Sequence, residues 1–203
     1  MDRLDGCLVA LLVTEGVRRR RVQELAARLR ALGARIHFLA LHPPPVHAED
    51  GAEFAIDATA TEIAPHYYDG LLVPDCRSVE SLLAHADAPA ELVRQFLKEE
   101  RPLGAIGLGV ALLAHAGVVA GGRVACEPSI EERVRQAGGL PVSDDIVSDG
   151  LLTTGRSGCD LRELCDQFAT NLHALRMPDL VDEISRESFP ASDAHSGASA
   201  MPG

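Results

Sequence analysis

Leu8-Val9-Ala10-Leu11-Leu12-Val13 is an unbroken apolar run, the pattern of a strand buried on both faces. Thr14-Glu15-Gly16 ends it. Val22, Leu25, Ala26, Leu29 and Leu32 then recur at helical spacing, with Gly33 where a C-terminal cap belongs. Arg35 to Leu41 reads as a second strand, so the chain opens on a βαβ unit with a right-handed crossover. The prolines between His42 and Asp50 predict a loop, and Phe54 to Asp57 a short strand or hairpin arm. Asp69-Gly70-Leu71-Leu72-Val73-Pro74 is a third buried strand, halted by Pro74. Ser78 to Ala86 and Ala90 to Glu100 read as helices, the second turning Leu92, Val93, Phe96 and Leu97 inward.

Leu103 to Ile106 is a further strand, and Val110 to Ala116 a helix closed by Gly117. Arg123 to Cys126 is another strand, followed by Ser129-Ile130-Glu131-Glu132, which has the spacing of a capping box. Ile146 to Val147 and Leu151 to Thr154 form a hairpin across Ser148-Asp149-Gly150. Asp160-Leu161-Arg162-Glu163 opens the last helix, with Leu161, Leu164, Cys165, Phe168, Leu172 and Leu175 along one face. Strands alternating with helices predict an α/β layered fold. From Met177 the prolines and the Ser, Ala and Gly content predict a disordered tail over 177–203 behind a single domain over 1–176.

Composition changes this picture little. Apolar residues make up 46% of 203, but aromatics only 3%, so the core is built from Leu, Val, Ala and Ile. A net charge of -11 argues against nucleic acid, which requires a basic face. Arg18-Arg19-Arg20-Arg21 reads as a solvated helix face, opposed to the helix dipole. The cysteines Cys7, Cys76, Cys126, Cys159 and Cys165 are odd in number and form no CxxC pair. The N-terminus is too charged for a signal peptide, and no apolar run reaches the ~20 residues of a membrane span. A cytoplasmic protein with free thiols is expected. His42 and His47 beside Glu49 and Asp50 read as solvated loop residues, so neither metal nor cofactor is expected.

The chemistry turns on Gly104-Ala105-Ile106-Gly107-Leu108-Gly109-Val110. A buried strand, a tight glycine turn and a helix start make the geometry that presents a nucleophile in hydrolytic α/β folds. Here the tip is Gly107, which carries no nucleophilic atom.

Several segments in this order resemble the DJ-1/PfpI family of class I glutamine-amidotransferase-like domains, over Leu8 to Leu175. They are Val13-Thr14-Glu15-Gly16, the Asp69–Pro74 strand, the elbow with Leu112-Leu113-Ala114-His115-Ala116-Gly117-Val118 behind it, Gly122-Arg123-Val124-Ala125-Cys126-Glu127-Pro128-Ser129-Ile130, and Asp149-Gly150-Leu151-Leu152-Thr153-Thr154-Gly155. The resemblance implies a three-layer, flavodoxin-like α/β sandwich with a mostly parallel sheet. Enzymatic members carry a cysteine at the elbow tip, usually followed by histidine, with a glutamate from the first strand on the thiol. Those positions here are Gly107, Leu108 and Glu15. The Gly-Gly turn that often forms the oxyanion hole is Asp75-Cys76, and a carboxylate there opposes a developing oxyanion. The C-terminal domain of large-subunit catalases is similar at Val13 to Val17 and at Pro65 to Pro74, and has the fold without its nucleophile.

The implied role is non-catalytic: a small-molecule ligand or homo-oligomeric assembly. The alternative is a hydrolase or lyase acting on a small carbonyl compound through a displaced site. Its candidates are Glu15 at the carboxyl edge of a strand, Cys76 beside the elbow, and Cys126 and Glu127 at the end of the next strand. Glu15, Asp75 and Glu127 could also converge on a cation or share a proton. His115 reads as core or interface. A crevice plugged by Leu108 would favour binding, and one lined by carboxylates and a thiol would favour chemistry.

Overall fold

The structure is a computed structural model that describes residues 4–40, 45–84 and 86–176; the predicted tail over 177–203 lies outside the described residues. In chain order the elements are β1 (Leu8–Val13), α1 (Arg19–Ala31), β2 (Arg35–Ala40), β3 (Val46–His47), β4 (Glu53–Phe54), β5 (Ala58–Thr59), β6 (Gly70–Val73), α2 (Val79–Leu83) and α3 (Asp87–Lys98). Then follow β7 (Leu103–Ile106), α4 (Val110–His115), β8 (Arg123–Ala125), α5 (Glu131–Gln136), β9 (Leu140–Val142), β10 (Ile146–Asp149), β11 (Leu152–Gly155) and α6 (Leu161–Arg176).

The main sheet runs β10-β11-β7-β6-β1-β2-β5 and is parallel except for the β10–β11 hairpin. β1 is buried along its whole length near the middle of the sheet. Its alternation sorts the protein into two cores. Leu8, Ala10 and Leu12 join the layer that holds α3 and α4, whereas Val9, Leu11 and Val13 join the layer of α1 and α6. Each layer keeps one fully buried phenylalanine, Phe96 in the first and Phe168 in the second. This is the three-layer α/β sandwich the sequence predicts.

Helix ends follow local chemistry. Gly33 takes φ +105° just past α1, the left-handed position a C-terminal stop requires. Asp160 caps α6, its Oδ1 accepting the Arg162 N–H at 2.7 Å and the Glu163 N–H at 3.4 Å. α3 begins at Asp87, earlier than predicted, and absorbs Pro89 in its first turn, where a missing N–H breaks no helical bond.

Two expectations are corrected, and one strand stands apart from the main sheet. Ser129 caps nothing, because Pro128 starts a 3₁₀ turn over Pro128–Ile130 that puts the serine inside the turn; Ile130 stands at the cap of α5 without a side-chain bond. β8 pairs with β9 in a separate two-stranded sheet. Leu175 is exposed, because the buried stripe of α6 ends at Leu172. The loop after β2 also contains structure: β3 and β4 pair antiparallel as a short hairpin.

α6 lies close on the sheet because Gly70 has no side chain. A Cβ there would sit 2.9 Å from both Leu172 Cδ2 and Phe168 Cζ, and 3.1 Å from the Pro102 carbonyl oxygen. Gly70→Ala is therefore expected to destabilise the fold by about 1–3 kcal/mol, as overpacking does. Urea denaturation of the variant checks this, and an unchanged midpoint would refute it.

Candidate functional site

β1, β6 and β7 are neighbours in the sheet, so their carboxyl ends bring Glu15, Asp75–Cys76 and Gly107 to one edge. Gly107 leaves β7 with φ +56°, a conformation that side chains other than hydrogen rarely adopt. A Cβ built there collides with Asp75 Oδ1 and Ser157 Oγ and lies 2.5 Å from Asp75 Cγ. The volume of an elbow side chain is thus taken by Asp75.

Asp75 is only 3% exposed. Its Oδ1 accepts the Leu108 N–H at 2.9 Å. That amide directly follows the elbow tip and is the donor an oxyanion at the elbow would need. Oδ2 lies 3.1 Å from Arg18 Nη1, a charge pairing without hydrogen-bond geometry. A carboxylate of the protein itself thus occupies the anion-stabilising position.

Glu15 turns away from the elbow. Its Oε2 accepts the His47 N–H at 2.8 Å, and Oε1 lies 3.2 Å from His47 Nδ1, which ties the end of β1 to the β3–β4 hairpin. Glu127 Oε1 accepts the Ser157 N–H at 2.7 Å and so holds the loop that presses Ser157 Oγ against Gly107. The three carboxylates therefore have separate partners. Among the described residues no group of three His, Cys, Asp or Glu side chains is placed to hold a metal ion.

Cys76 and Cys126 are both buried. Burial, and next the charge of Asp75, push the Cys76 thiol up to about 11; burial and then Glu131 do the same to Cys126. Both are neutral thiols at physiological pH. His115 ends α4 with Nε2 4.0 Å from Asp87 Oδ1, outside this arrangement.

The arginine run is where sequence reading missed functional residues. Arg18 pairs with Asp75, Arg19 donates to the Glu53 carbonyl at 2.9 Å, and Arg21 donates to the carbonyls of Ser157 and Cys159 at 3.0 and 3.1 Å. Only Arg20 fits a solvated face. Four arginines fan around a helix start, so each can reach a different loop; composition alone shows only their charge.

Beside the elbow a cleft of about 310 Å³ is lined by Arg77, Ser78, Glu80, Leu108, Ser129 and Arg133. Leu108 forms part of its wall and does not plug it. Glu80 is held below the usual carboxylate range by the Ser78 hydroxyl at 2.7 Å, with Arg133 adding to the effect. Arg77 has no carboxylate partner among the described residues. With Val79 and Ile130 completing the lining, two guanidiniums stand against one acid, so the cleft carries a net positive charge.

Two outcomes follow from this geometry. Asp75→Ala leaves the Leu108 amide and Arg18 unanswered and is expected to cost about 1–3 kcal/mol. Added formate should restore part of the lost melting temperature in the variant and not in the native protein; equal effects on both would refute the site. The second outcome concerns pH. Cys76, Cys126 and Cys159 rise from 9.0 to about 11 and Cys165 to about 12. Folding favours the neutral thiols, so their contribution to stability is complete below pH 9 and is lost as pH climbs through 11. Melting temperature should fall over that window, and iodoacetamide labelling at pH 8 should be roughly a hundredfold slower than for free cysteine.

Comparison with known proteins agrees with the fold. A profile of the DJ-1/PfpI family matches residues 8–171. DJ-1 protein homolog E of Arabidopsis thaliana is 35% identical over 123 residues, 60% of this chain and 31% of its own length. The chain spans about a third of the length of the Arabidopsis relatives it matches. A deglycase of Pyrococcus horikoshii is 25% identical over 141 residues, covering 70% of this chain and 84% of that protein. Among solved structures, a ThiJ/PfpI domain protein of Brachyspira murdochii superposes with a TM-score of 0.74 at 16% identity, over 84% of this chain and 98% of that one. The DJ-1/ThiJ/PfpI-like two-domain protein of Anabaena variabilis gives 0.76 at 18%, over 83% and 48%. With its mostly parallel sheet and this match along most of its length, the chain belongs to the DJ-1/PfpI family.

Proposed function

We propose that this chain is a non-catalytic DJ-1/PfpI domain that holds a small anionic molecule in the cleft beside its elbow and assembles with copies of itself. The observation that carries the reading is Asp75, whose carboxylate fills the space a nucleophile on Gly107 would need and holds the Leu108 amide. Relatives named deglycases show that the family includes enzymes. In this chain the displaced alternative, a hydrolase or lyase built on Glu15, Cys76, Cys126 and Glu127, rests on two thiols pushed up to about 11. Such thiols are poor nucleophiles at neutral pH.

The assembly half of the reading rests on the family match, since Tyr67 and Leu140, 70% and 56% exposed, are single apolar side chains of a kind any protein surface carries. Cys76, Cys126, Cys159 and Cys165 are buried free thiols, which supports a reducing, cytoplasmic setting. No helix among the described residues is long and apolar enough to cross a membrane. The kinship with the C-terminal domain of large-subunit catalases belongs to the same reading and draws on Val13–Val17 and Pro65–Pro74.

The test joins activity to a double-mutant cycle. The native chain should show no turnover of small dicarbonyl compounds above the buffer rate. Gly107→Cys should destabilise by about 2–4 kcal/mol through strain and collision. Adding Asp75→Gly should recover at least about 1 kcal/mol of that loss, because the two positions share one space. Native turnover that disappears in Cys76→Ser or Cys126→Ser would overturn the proposal, and so would strictly additive effects at 75 and 107.

A further inference from the structure

A second cleft, of about 290 Å³, opens between α1, β2 and β4 and shares no lining residue with the one beside the elbow. Arg19, Gln23 and Arg30 stand at i, i+4 and i+11 of α1 and so occupy one face of it. The facing wall is aromatic. Phe38 from β2 and Phe54 from β4 meet edge to face, with centroids 5.0 Å apart and planes at 80°. Phe54 is buried in the core and half-buried Phe38 packs against it, so the aromatic wall is the edge of that core facing the cleft.

The charges facing this wall are unequally engaged. Arg19 is tied to the hairpin, donating to the Glu53 carbonyl at 2.9 Å and lying 3.5 Å from Asp50 Oδ2. Arg30 holds its guanidinium carbon 5.7 Å from the Phe38 centroid and has no carboxylate partner among the described residues. The Gln23 amide and the Glu53 carboxylate likewise make no side-chain hydrogen bond among them. The cleft therefore presents one cation without a carboxylate partner and one neutral donor beside an aromatic wall, with the acid Glu53 also in its lining.

We infer that this cleft binds a single-ring aromatic monocarboxylate. The ring lies on the Phe38–Phe54 wall, and the carboxylate accepts N–H bonds from Arg30 and the Gln23 amide. Arg30 is already laid against Phe38, so less side-chain freedom is lost on binding. Glu53 repels a second negative charge and selects monoanions over dianions. The volume lies at the small end of the roughly 300–1,000 Å³ usual for ligand pockets, which suits one ring and not a nucleotide.

Benzoate titrated into the native chain, followed by ligand-detected NMR, tests this. Saturable binding is expected, at least tenfold weaker in Arg30→Gln. Arg30 is exposed, so this variant should stay folded, with only a small drop in melting temperature from the lost contact with Phe38. Phthalate, a dianion, and cyclohexanecarboxylate, which has no aromatic ring, should both bind more weakly than benzoate. Absence of benzoate binding, equal binding in Arg30→Gln, or equal binding of the three probes would overturn the inference. Loss of binding in Arg133→Gln in place of Arg30→Gln would put the probe in the elbow-side cleft and overturn it as well.

Discussion

A carboxylate withdrawn from water is costly unless donors and an opposite charge meet it. At Asp75 those groups come from two separate parts of the chain: the Leu108 amide of the elbow and the Arg18 guanidinium at the start of α1. The arrangement then constrains its surroundings. Position 107 can carry only hydrogen, since a Cβ there would enter the Asp75 carboxylate and Ser157. Ser157 is held in place in turn by Glu127 and Arg21. The glycine at the elbow tip and the acid opposite it are one structural fact.

This coupling separates a filled site from an emptied one. Had a nucleophile simply been exchanged for glycine, the elbow would keep a free amide and a vacant space, which a small molecule could enter. Here the amide has its acceptor and the space its occupant. Removing one member of such a group costs more than the group contributes, because the remaining partner stays buried and unpaired. Reverting one position alone therefore meets a barrier that changing both does not.

The parts of this molecule legible in its sequence are those fixed by short-range pattern. The buried run of β1, the stop at Gly33 and the cap at Asp160 depend on residues within a turn of one another, and the structure has all three. Ser129 shows the limit of the method: the capping spacing is present, but the neighbouring Pro128 moves the helix start past it. At the site the sequence places Cys76 beside the elbow, and the family resemblance marks Asp75 as a carboxylate opposed to an oxyanion. It does not show that the acid sits in the missing side chain's volume, since that depends on how β6 and β7 register. Nor does it separate Glu15 from the elbow, because the pull of His47 comes from a two-residue strand with almost no signal of its own.

The arginine run is the clearest case of long-range contacts overriding local preference. α1 has no acidic residue in its first turn, and its basic start opposes the dipole by about 0.3–1 kcal/mol per charge at most. Hydrogen bonds to charged groups contribute about 1.5–3 kcal/mol net where they are well made. Arg18, Arg19 and Arg21 reach respectively the elbow acid, the β3–β4 hairpin and the loop before α6. Three segments far apart in the sequence are thereby fastened to one helix end. The balance favours the contacts even after solvent exposure weakens them. A helix start that looks locally mistaken is the point through which the elbow, the hairpin and the Ser157 loop hold their relative positions.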